Sequence, residues 1–439
     1  MANIGILGAG IKGLKLAHDF ENEGHTCTIL ESSDRIGGAL ISKRHDSGYL
    51  TEDGAHTFLL NAQSIESFIH SIPGLSEEMI EANPASEERF ILRNKTLHAI
   101  APKVSAMIKS KLLSPFGKLA ILKDLLAKKI ERDDDISLHD FFTVHFGEEL
   151  ANYLLNPFIA GTYAGDPKFL SAKETFPRLL ECERINGSII RSLAFKKKQY
   201  KSRIISFRSG LRALPLAIAD SLNTNLVLSC TIDKICMNEG KWELAYHTPK
   251  KNWVPACFDK IYCTIPAHKT SQLPFDSCIR VKLPDFDSIQ HPPVSVLSLG
   301  FHDSQIEKPL NGFGYLIPKL EQENYLGGLF VSSLFEDRAP KDHQLFTFFI
   351  GGVRNPELAI KDKDRLIYNC LPSIQKLLKI SGAPTFSYSR NWAHSIPQYS
   401  VGYIKFLEDI KIFESAHPNF KFAGNYKGGI SLADSFNSF

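Results

Sequence analysis

The chain has 439 residues, of which 43% are apolar, and a formal net charge of +3. This near-neutral charge argues against a nucleic-acid-binding protein, and the length exceeds what one hydrophobic core usually sustains, so we expect two domains. The eight cysteines are scattered without a C-x-x-C pair, which favours a reducing compartment and indicates no metal site. No apolar run reaches the roughly 18 residues of a membrane span, and the strand-like run directly after Met1 leaves no room for a signal segment. We therefore expect a cytoplasmic protein, at most peripheral on the inner face of the cell membrane.

The beginning of the chain has the pattern of a βαβ unit. The apolar residues of 3–7 predict a short buried strand, and Leu14, Ala17 and Phe20 recur at helical spacing before a second strand at 26–30. Such units build parallel sheets.

The rest of the chain alternates between helical and strand-rich stretches. From about Ala85 to Arg203 the pattern is helical, with N-cap signatures at Ser114, Ser137 and Ser171. Strand patterns return after this stretch and are rich in β-branched and aromatic residues broken by glycine and proline. A last long helix is expected near 362–380.

A glycine-rich turn follows the first predicted strand. Gly8, Gly10 and Gly13 form a G-x-G-x-x-G pattern between a strand and a helix, the context in which it indicates a dinucleotide site. Gly10 lets the backbone approach a diphosphate, and the helix N-terminus supplies free N–H groups. Glu31, which ends the second strand, is placed to accept hydrogen bonds from ribose hydroxyls and argues against NADP. The alternative, glycines that only punctuate a turn, is disfavoured by this register. The other turn residues expected at the cofactor are Ala9 and Ile11.

The stretch after Glu31 extends this motif. The run from Glu31 to Gly38 resembles the extended flavin motif shared by amine oxidases, carotene desaturases and protoporphyrinogen oxidases. The resemblance implies FAD as the cofactor, because the paired glycines bring a second piece of backbone against a longer ligand. Ala39 stands where arginine or another large residue is common, so one contact beside the cofactor is expected to be absent. The cofactor residues implied here are Ser32, Arg35, Gly37, Gly38 and Ala39.

Loops further along the chain also resemble flavin-binding segments. Residues 52–58 are similar to the family loop whose backbone runs close to the flavin, which implies contacts from Gly54, Ala55, His56 and Thr57. As an alternative, His56 is a general base, but lone histidines are more often structural or solvated. The segment from Trp392 to Tyr403 resembles a W…IPQY..GH motif, with Tyr403 in place of the histidine, and 424–434 resemble the closing flavin loop. These later regions complete the expected cofactor set with Ile232, Trp392, Gly424, Gly429, Ile430, Ser431 and Leu432.

The middle of the chain narrows the resemblance to one family. The run from Asn156 to Pro167, followed by Phe176, is similar to the substrate-domain signature of protoporphyrinogen oxidases. This resemblance implies a large, flat, mostly apolar ring with anionic propionates as substrate, for which aromatic walls and one or two cations are suited. The expected wall residues are Phe158, Tyr163, Phe176 and Tyr399, although for each one alone ordinary core packing is the more common role.

The resemblance also implies a reaction. A porphyrinogen, protoporphyrinogen IX or alternatively coproporphyrinogen III, is oxidised to its porphyrin in haem biosynthesis, with oxygen as the acceptor. The flavin N5 performs the chemistry, so no catalytic side chain and no metal are assigned. Two other classes stay open: an amine or polyene flavin oxidase, and a binding module of the same fold without flavin. A yellow purified protein with a flavin absorption band separates the enzyme from the binding module.

We expect an α/β fold in which distant segments share a domain. A Rossmann-type FAD-binding domain is predicted from 1–84, 204–270 and 385–439, with a helical, membrane-facing substrate part at 85–203 and a mixed sheet at 271–384.

A basic stretch inside the helical part bears on membrane attachment. Lys103 to Ile130 holds seven lysines and one acid, Asp124, and Leu119, Leu122 and Leu126 fall near helical spacing on one side. Such a helix lies on an anionic lipid surface, or equally packs its leucines in the core with a solvated lysine face. The sequence leaves both interpretations open.

Overall fold

The computed structural model describes residues 1–101, 107, 109–132, 134–195 and 200–436, which form a mixed α/β fold. The strands are β1 (Asn3–Leu7), β2 (Thr26–Leu30), β3 (Ser42–Arg44), β4 (Leu50–Glu52), β5 (Phe58–Leu60), β6 (Met79–Glu81), β7 (Arg89–Arg93), β8 (Thr96–Ile100), β9 (Arg203–Phe207), β10 (Asn225–Val227), β11 (Thr231–Asn238), β12 (Lys241–Thr248), β13 (Lys251–Phe258), β14 (Lys260–Cys263), β15 (Val294–His302), β16 (Gly314–Leu316), β17 (Gly327–Phe330), β18 (His343–Gly351), β19 (Phe386–Trp392) and β20 (Phe420–Phe422). The helices are α1 (Ile11–Asn22), α2 (Gln63–Ser71), α3 (Leu75–Glu78), α4 (Pro115–Asp124), α5 (Leu138–Leu150), α6 (Asn156–Tyr163), α7 (Ala172–Thr175), α8 (Pro177–Asn186), α9 (Ile189–Phe195), α10 (Ala213–Asp220), α11 (Ala267–Thr270), α12 (Ser277–Arg280), α13 (Val331–Leu334), α14 (Pro356–Ala359), α15 (Lys363–Leu378) and α16 (Tyr403–Ala416), and a π-helical turn (Ala151–Leu155) joins α5 to α6.

A five-stranded parallel sheet carries the glycine-rich turn. Its order is β10-β2-β1-β14-β20. The apolar side chains Ile4, Ile6 and Leu7 are buried, because α1 packs on one face of β1 and β13 packs on the other. The chain leaves β1 through α1 to β2 on one side, whereas β14 lies on the other side. The crevice beyond the ends of β1 and β14 is therefore a topological switch point, where ligands of such sheets bind.

A seven-stranded mixed sheet has the order β19-β15-β18-β17-β16-β7-β8. Strand β15, which pairs with β19 and β18, is buried over all but its last residue. Helix α15 packs on this sheet with the stripe Leu366, Cys370, Ile374 and Leu378, which recurs every fourth residue as a buried helical face requires. Its N-cap is Asp362, whose side chain accepts a hydrogen bond from the Arg365 N–H, so the predicted helix near 362–380 is confirmed.

The expectation of a helical pattern throughout 85–203 is wrong at its start. Residues 89–93 and 96–100 are paired strands, β7 and β8. Asn94 and Lys95 between them both have positive φ, 51° and 60°, which makes a two-residue hairpin turn that matches the strand twist. A boundary also differs, since residues 386–392 pair with β15 in the seven-stranded sheet although 385 was the expected start of a cofactor-binding segment.

The rest of the predicted helical stretch forms α4 to α9. The three predicted N-caps are confirmed, because the hydroxyls of Ser114, Ser137 and Ser171 each accept a hydrogen bond from a backbone N–H three residues on. Within the described ranges, no helix is both long and apolar enough to cross a membrane.

A buried charged network ties these helices together. His145 Nδ1 lies 2.6 Å from an Asp124 carboxylate oxygen and its Nε2 lies 3.0 Å from Glu183. Glu183 in turn accepts two hydrogen bonds from Arg132. Burial would lower the pKa of His145, but the bonds to the two carboxylates outweigh it and raise that pKa. Both ring nitrogens thus face carboxylate oxygens, an arrangement that favours the protonated imidazole, which can donate from each.

Candidate active site

The turn after β1 is shaped by its glycines. Gly8 has a φ of 103°, and a Cβ on Gly13 would overlap the Gly8 carbonyl oxygen, so both residues must be glycine for α1 to pack on the turn. Gly10 caps α1 with ordinary extended backbone, and a Cβ there would meet nothing within 4 Å. No side chain of the described residues caps α1. Its first N–H groups, those of Ile11 and its neighbours, thus face open space suited to a diphosphate.

The Glu31 carboxylate holds this turn against the next loop. One oxygen accepts a hydrogen bond from the Ala9 N–H at 2.8 Å, and the other accepts from the Ser33 N–H at 2.8 Å. Ser32 lies between Glu31 and Ser33 in the chain. The Cys230 N–H donates to the Glu31 carbonyl oxygen, so β11, with Ile232, begins beside the same loop.

The loop that follows, residues 35–39, bridges two parts of the site. Gly37 donates its N–H to the Ala9 carbonyl oxygen at 2.8 Å, and a Cβ on Gly38 would lie 3.2 Å from Gly10 Cα. At its other end the Ala39 carbonyl oxygen fills the position where Gly54 would carry a Cβ. The loop therefore joins the glycine turn to the Gly54 loop.

Alternate residues of β19 converge on Asp53, which precedes Gly54. The Trp392 indole N–H donates to the Asp53 carbonyl oxygen at 2.7 Å. The Arg390 Nε lies 4.0 Å from the Asp53 carboxylate, and the Tyr388 hydroxyl faces the same carboxylate. Burial raises the pKa of Asp53, and Tyr388 and Arg390 oppose that rise. One Asp53 carboxylate oxygen is buried without a hydrogen-bond partner among the described residues.

His56 is buried in the Gly54 loop between Ala55 and Thr57. Its Nδ1 donates to the Gly54 carbonyl oxygen at 3.0 Å, which leaves Nε2 with a lone pair. That nitrogen is buried without a partner in the described part of the chain. Burial lowers the pKa of His56 to about 4, so the ring is neutral and can accept a hydrogen bond from a ligand.

The last loop closes around α1. A Cβ on Gly424 would lie 2.7 Å from the Ile265 carbonyl oxygen in the segment after β14, and Gly429 has a φ of 115°. The Ser431 N–H and hydroxyl donate to Asp434 at 2.8 and 2.7 Å. Ile430 and Leu432 of this loop pack inward against the hydrophobic cores.

These features fit FAD. The open space at Gly10 can take a diphosphate against bare backbone, and the buried unpartnered atoms Asp53 Oδ1, His56 Nε2 and Arg212 Nε need a polar ligand. Of the described histidine, cysteine and acidic side chains, no three are arranged to hold a metal ion.

The four expected substrate-wall residues form a continuous row of rings. Phe158 lies 6.1 Å from Phe176, which lies 6.4 Å from Tyr163, and Tyr163 lies 6.3 Å from Tyr399. Phe158 is half-exposed, whereas Tyr163 and Tyr399 are buried. The Tyr399 hydroxyl donates to the Asn425 carbonyl oxygen at 2.6 Å, so the row runs from the surface to the last loop of the candidate site.

Sequence reasoning missed Asp53, Arg212 and Arg390. The signal for Arg390 was present, because Tyr388, Arg390 and Trp392 alternate and so share one face of a strand. Asp53 and Trp392 are 339 residues apart, and only the fold brings them together.

Known proteins are similar to this chain over its whole length. The model of the family "Flavin containing amine oxidoreductase" matches residues 12–433. "Protoporphyrinogen oxidase 2, chloroplastic/mitochondrial" of Arabidopsis thaliana is 31% identical, over 99% of this chain and 92% of the relative. "Coproporphyrinogen III oxidase" of Bacillus subtilis (strain 168) is 25% identical, over 98% and 94%. A solved structure of a candidate protoporphyrinogen oxidase from Exiguobacterium sp. 255-15 has the same fold, with a TM-score of 0.81 at 22% identity over 99% and 96% of the two chains. The chain therefore belongs to the flavin-containing amine oxidoreductase family and is an FAD-dependent oxidoreductase.

Proposed function

We propose that this enzyme oxidises protoporphyrinogen IX to protoporphyrin IX in haem biosynthesis, with oxygen as the electron acceptor. The observation that carries the proposal is the row of rings from Phe158 to Tyr399, which ends at the loop expected to close over the flavin. Such a row offers one side of a flat apolar ring a continuous contact surface. Coproporphyrinogen III is the second candidate substrate, since a Bacillus subtilis relative is named for its oxidation.

We assign the parallel sheet to a Rossmann-type FAD-binding domain. Its five strands come from within 1–84, 204–270 and 385–439, and the switch point beyond β1 and β14 supports binding there. The proposed domain starts its last segment after β19, because 386–392 pair with the seven-stranded sheet. Residues 107–195, as far as described, form the helical substrate part.

In the proposed complex, different segments bind different parts of FAD. The α1 N-terminus, with Gly10 at its cap, takes the diphosphate, and Glu31 takes the ribose hydroxyls. Bound FAD supplies a two-electron acceptor for hydrogen from a saturated bridging carbon of the porphyrinogen. The Gly54 loop contributes the neutral His56 Nε2 as an acceptor. The buried Tyr399 and the partly buried Trp392 exclude water from that side.

Two partly buried arginines, Arg354 and Arg89, are proposed partners for substrate propionates. Arg354 donates to the Ile317 carbonyl oxygen and to Asn156 at the start of α6, and burial lowers its pKa to about 10. Arg89 stacks on Phe313, 4.7 Å from the ring centre, and burial lowers its pKa as well. Neither has a carboxylate within 4.0 Å in the described ranges, so a carboxylate ligand would gain a charge-assisted hydrogen bond from either.

Helix α4 supports the membrane-surface interpretation of the basic stretch. Leu119, Leu122 and Leu126 point to solvent, with Leu126 and Phe116 each 84% exposed, whereas the helix buries Ile121 and other residues of its opposite face. Lys103 and residues 104–106, 108 of the predicted stretch lie outside the described residues. We propose that this apolar face, flanked by lysines, rests on an anionic bilayer.

Flotation of the protein with liposomes tests this attachment. Vesicles containing phosphatidylserine should carry the protein upward at low salt, and Leu126→Glu with Phe116→Glu should stay at the bottom. Tyr368→Glu, which changes an exposed aromatic residue of α15 (72% exposed), is the matched control. Failure of the unaltered protein to float would contradict the proposed attachment.

The proposed reaction is tested by parallel aerobic assays. Each porphyrinogen is mixed with the FAD-loaded enzyme, and porphyrin fluorescence and hydrogen peroxide are recorded together. Faster formation of both products from protoporphyrinogen IX is expected. A higher kcat/KM with coproporphyrinogen III would move the assignment to the second candidate, and no reaction with either would overturn the proposed function.

A further inference from the structure

Arg35 has two further arginines from separate segments near it, Arg212 and Arg390. Arg35 follows β2, Arg212 precedes α10 and Arg390 lies in β19. Burial lowers the pKa of Arg35, and the charges of Arg390 and Arg212 lower it further. Arg212 Nε is buried with no partner among the described residues. The Arg390 side chain is 44% exposed, so water screens part of the repulsion, and a bound anion would relieve the rest.

The neighbouring carboxylates are already engaged. Glu31 accepts from the Ala9 N–H, the Ser33 N–H and the Ser33 hydroxyl. Asp53 is the other close anion, and its single charge faces three cations, Arg390, Arg35 and Lys43. The arrangement therefore carries excess positive charge at a site where an anionic ligand would gain free energy.

The neighbours of Arg390 among the described residues orient its side chain but do not use its N–H donors in hydrogen bonds. Its Nε is 4.0 Å from the Asp53 carboxylate, beyond hydrogen-bonding distance. Its guanidinium lies over the Trp392 ring, 5.0 Å from the ring centre, and Trp392 is itself fixed by its bond to the Asp53 carbonyl oxygen. Ring and carboxylate thus hold the guanidinium in one orientation with N–H donors available.

A series of close contacts connects the loop of Asp53 to the glycine turn. Asp53 adjoins Gly54, and a Cβ on Gly54 would lie 3.7 Å from the Ala39 side chain. One residue before Ala39, a Cβ on Gly38 would lie 3.2 Å from Gly10 Cα. Ala39 has only a methyl group, so this series of contacts includes no large side chain at position 39.

We propose that Arg390 binds the FAD diphosphate from the β19 side, and that Asp53 is the counter-ion it exchanges for the diphosphate. A guanidinium suits this role because its planar N–H donors match phosphate oxygens in pairs. The inference rests on the proposed position of FAD and adds a cofactor-binding residue from the seven-stranded sheet. FAD binding would then fix that sheet against the parallel sheet.

FAD titration of the flavin-stripped full chain tests this role by the quenching of flavin fluorescence. Arg390→Gln should raise the Kd for FAD about tenfold, the loss of one charge-assisted contact, and Arg390→Lys should fall between. Asp53→Asn should bind FAD as tightly as the unaltered chain or more tightly, because it removes a competing anion. The matched control Arg365→Gln, an arginine of α15 that stacks on Tyr368, should leave the Kd unchanged.

The opposite responses of the two variants separate cofactor binding from a structural role. If Arg390 and Asp53 only stabilised the loop, both Arg390→Gln and Asp53→Asn would weaken FAD binding, and that result would overturn the inference. An unchanged Kd for Arg390→Gln would overturn it too. If the unaltered chain takes up no FAD, the proposed function is overturned as well. If the unaltered chain binds FAD and Arg390→Gln has the same Kd, only this inference is overturned.

Discussion

Gly13 and Gly8 are in contact across the turn that opens α1, so closely that a Cβ on Gly13 would overlap the Gly8 carbonyl oxygen. Gly10, between them, differs: a Cβ there would meet nothing within 4 Å, and its φ of −73° is open to any residue. The fold itself requires glycine at position 13, whereas position 10 requires glycine only if a ligand approaches the backbone there.

This contrast predicts different defects for two substitutions. Gly10→Val should fold normally but fail to retain FAD, because its side chain fills the space at the diphosphate. Gly13→Ala should lower stability by about 1–3 kcal/mol whether or not FAD is present, as overpacking does. Flavin content and the thermal midpoint of both variants check this, and full flavin retention by Gly10→Val would show that the diphosphate binds elsewhere.

Glu52 should make stability depend on pH. It is buried, and burial raises its pKa from 4.5 to about 7. The folded state therefore binds the proton more tightly than the unfolded state, so the folded protein loses about 3 kcal/mol through this group as the pH rises from about 4.5 to 7. The Ser42 hydroxyl and the Leu211 N–H donate hydrogen bonds to the Glu52 carboxylate. Glutamine has nearly the same shape as glutamate but does not titrate, so Glu52→Gln is the suitable comparison.

The thermal midpoints of the unaltered protein and Glu52→Gln, recorded from pH 5 to pH 8, measure this effect. The thermal midpoint of the variant minus that of the unaltered protein should increase as the pH rises towards 7. Above pH 7 this difference should change little. Parallel curves over the whole range would contradict the raised pKa.

The buried network around His145 should be costly to interrupt. His145→Ala leaves Asp124 and Glu183 buried with less compensation, so a loss of about 3–5 kcal/mol is expected. The pKa of His145 is raised in the folded state, so its contribution is complete below about 6.5 and declines as the pH rises through the folded value. His247→Ala, which removes the exposed partner of Asp233, should cost no more than about 1 kcal/mol. Equal losses for the two variants in urea unfolding would contradict the account.

Phe158 should affect the substrate more than the fold. It is half-exposed at the outer end of the ring row, so Phe158→Ala should change the thermal midpoint little. The lost ring contact should raise KM for the porphyrinogen by about threefold to tenfold, with kcat nearly unchanged. Tyr368→Ala, remote on α15, is the control, and an unchanged KM for Phe158→Ala would exclude that ring from the substrate pocket.

Local features of this fold could be predicted from the sequence because neighbours in the chain decide them. β1, β2, the caps at Ser114 and Ser137 and the helix from Lys363 follow from apolar spacing and side-chain hydrogen bonds a few residues apart. The hairpin at Asn94 and Lys95 was also local, but its turn lacks glycine and was therefore missed.

Long-range relationships could not be predicted in the same way. The contact between Trp392 and Asp53 depends on β19 pairing with β15, which no local pattern specifies. The convergence of Arg35, Arg212 and Arg390 likewise follows from tertiary packing. Glycine spacing thus located the backbone of the candidate site, whereas the charged side chains around it required the folded chain.

The most direct test of the proposed reaction is anaerobic mixing of the FAD-loaded enzyme with protoporphyrinogen IX while the flavin absorption band is followed. The proposed function predicts that the oxidised flavin band bleaches on mixing and returns, together with porphyrin absorption, when oxygen is admitted. A flavin band that stays oxidised with both protoporphyrinogen IX and coproporphyrinogen III would contradict it.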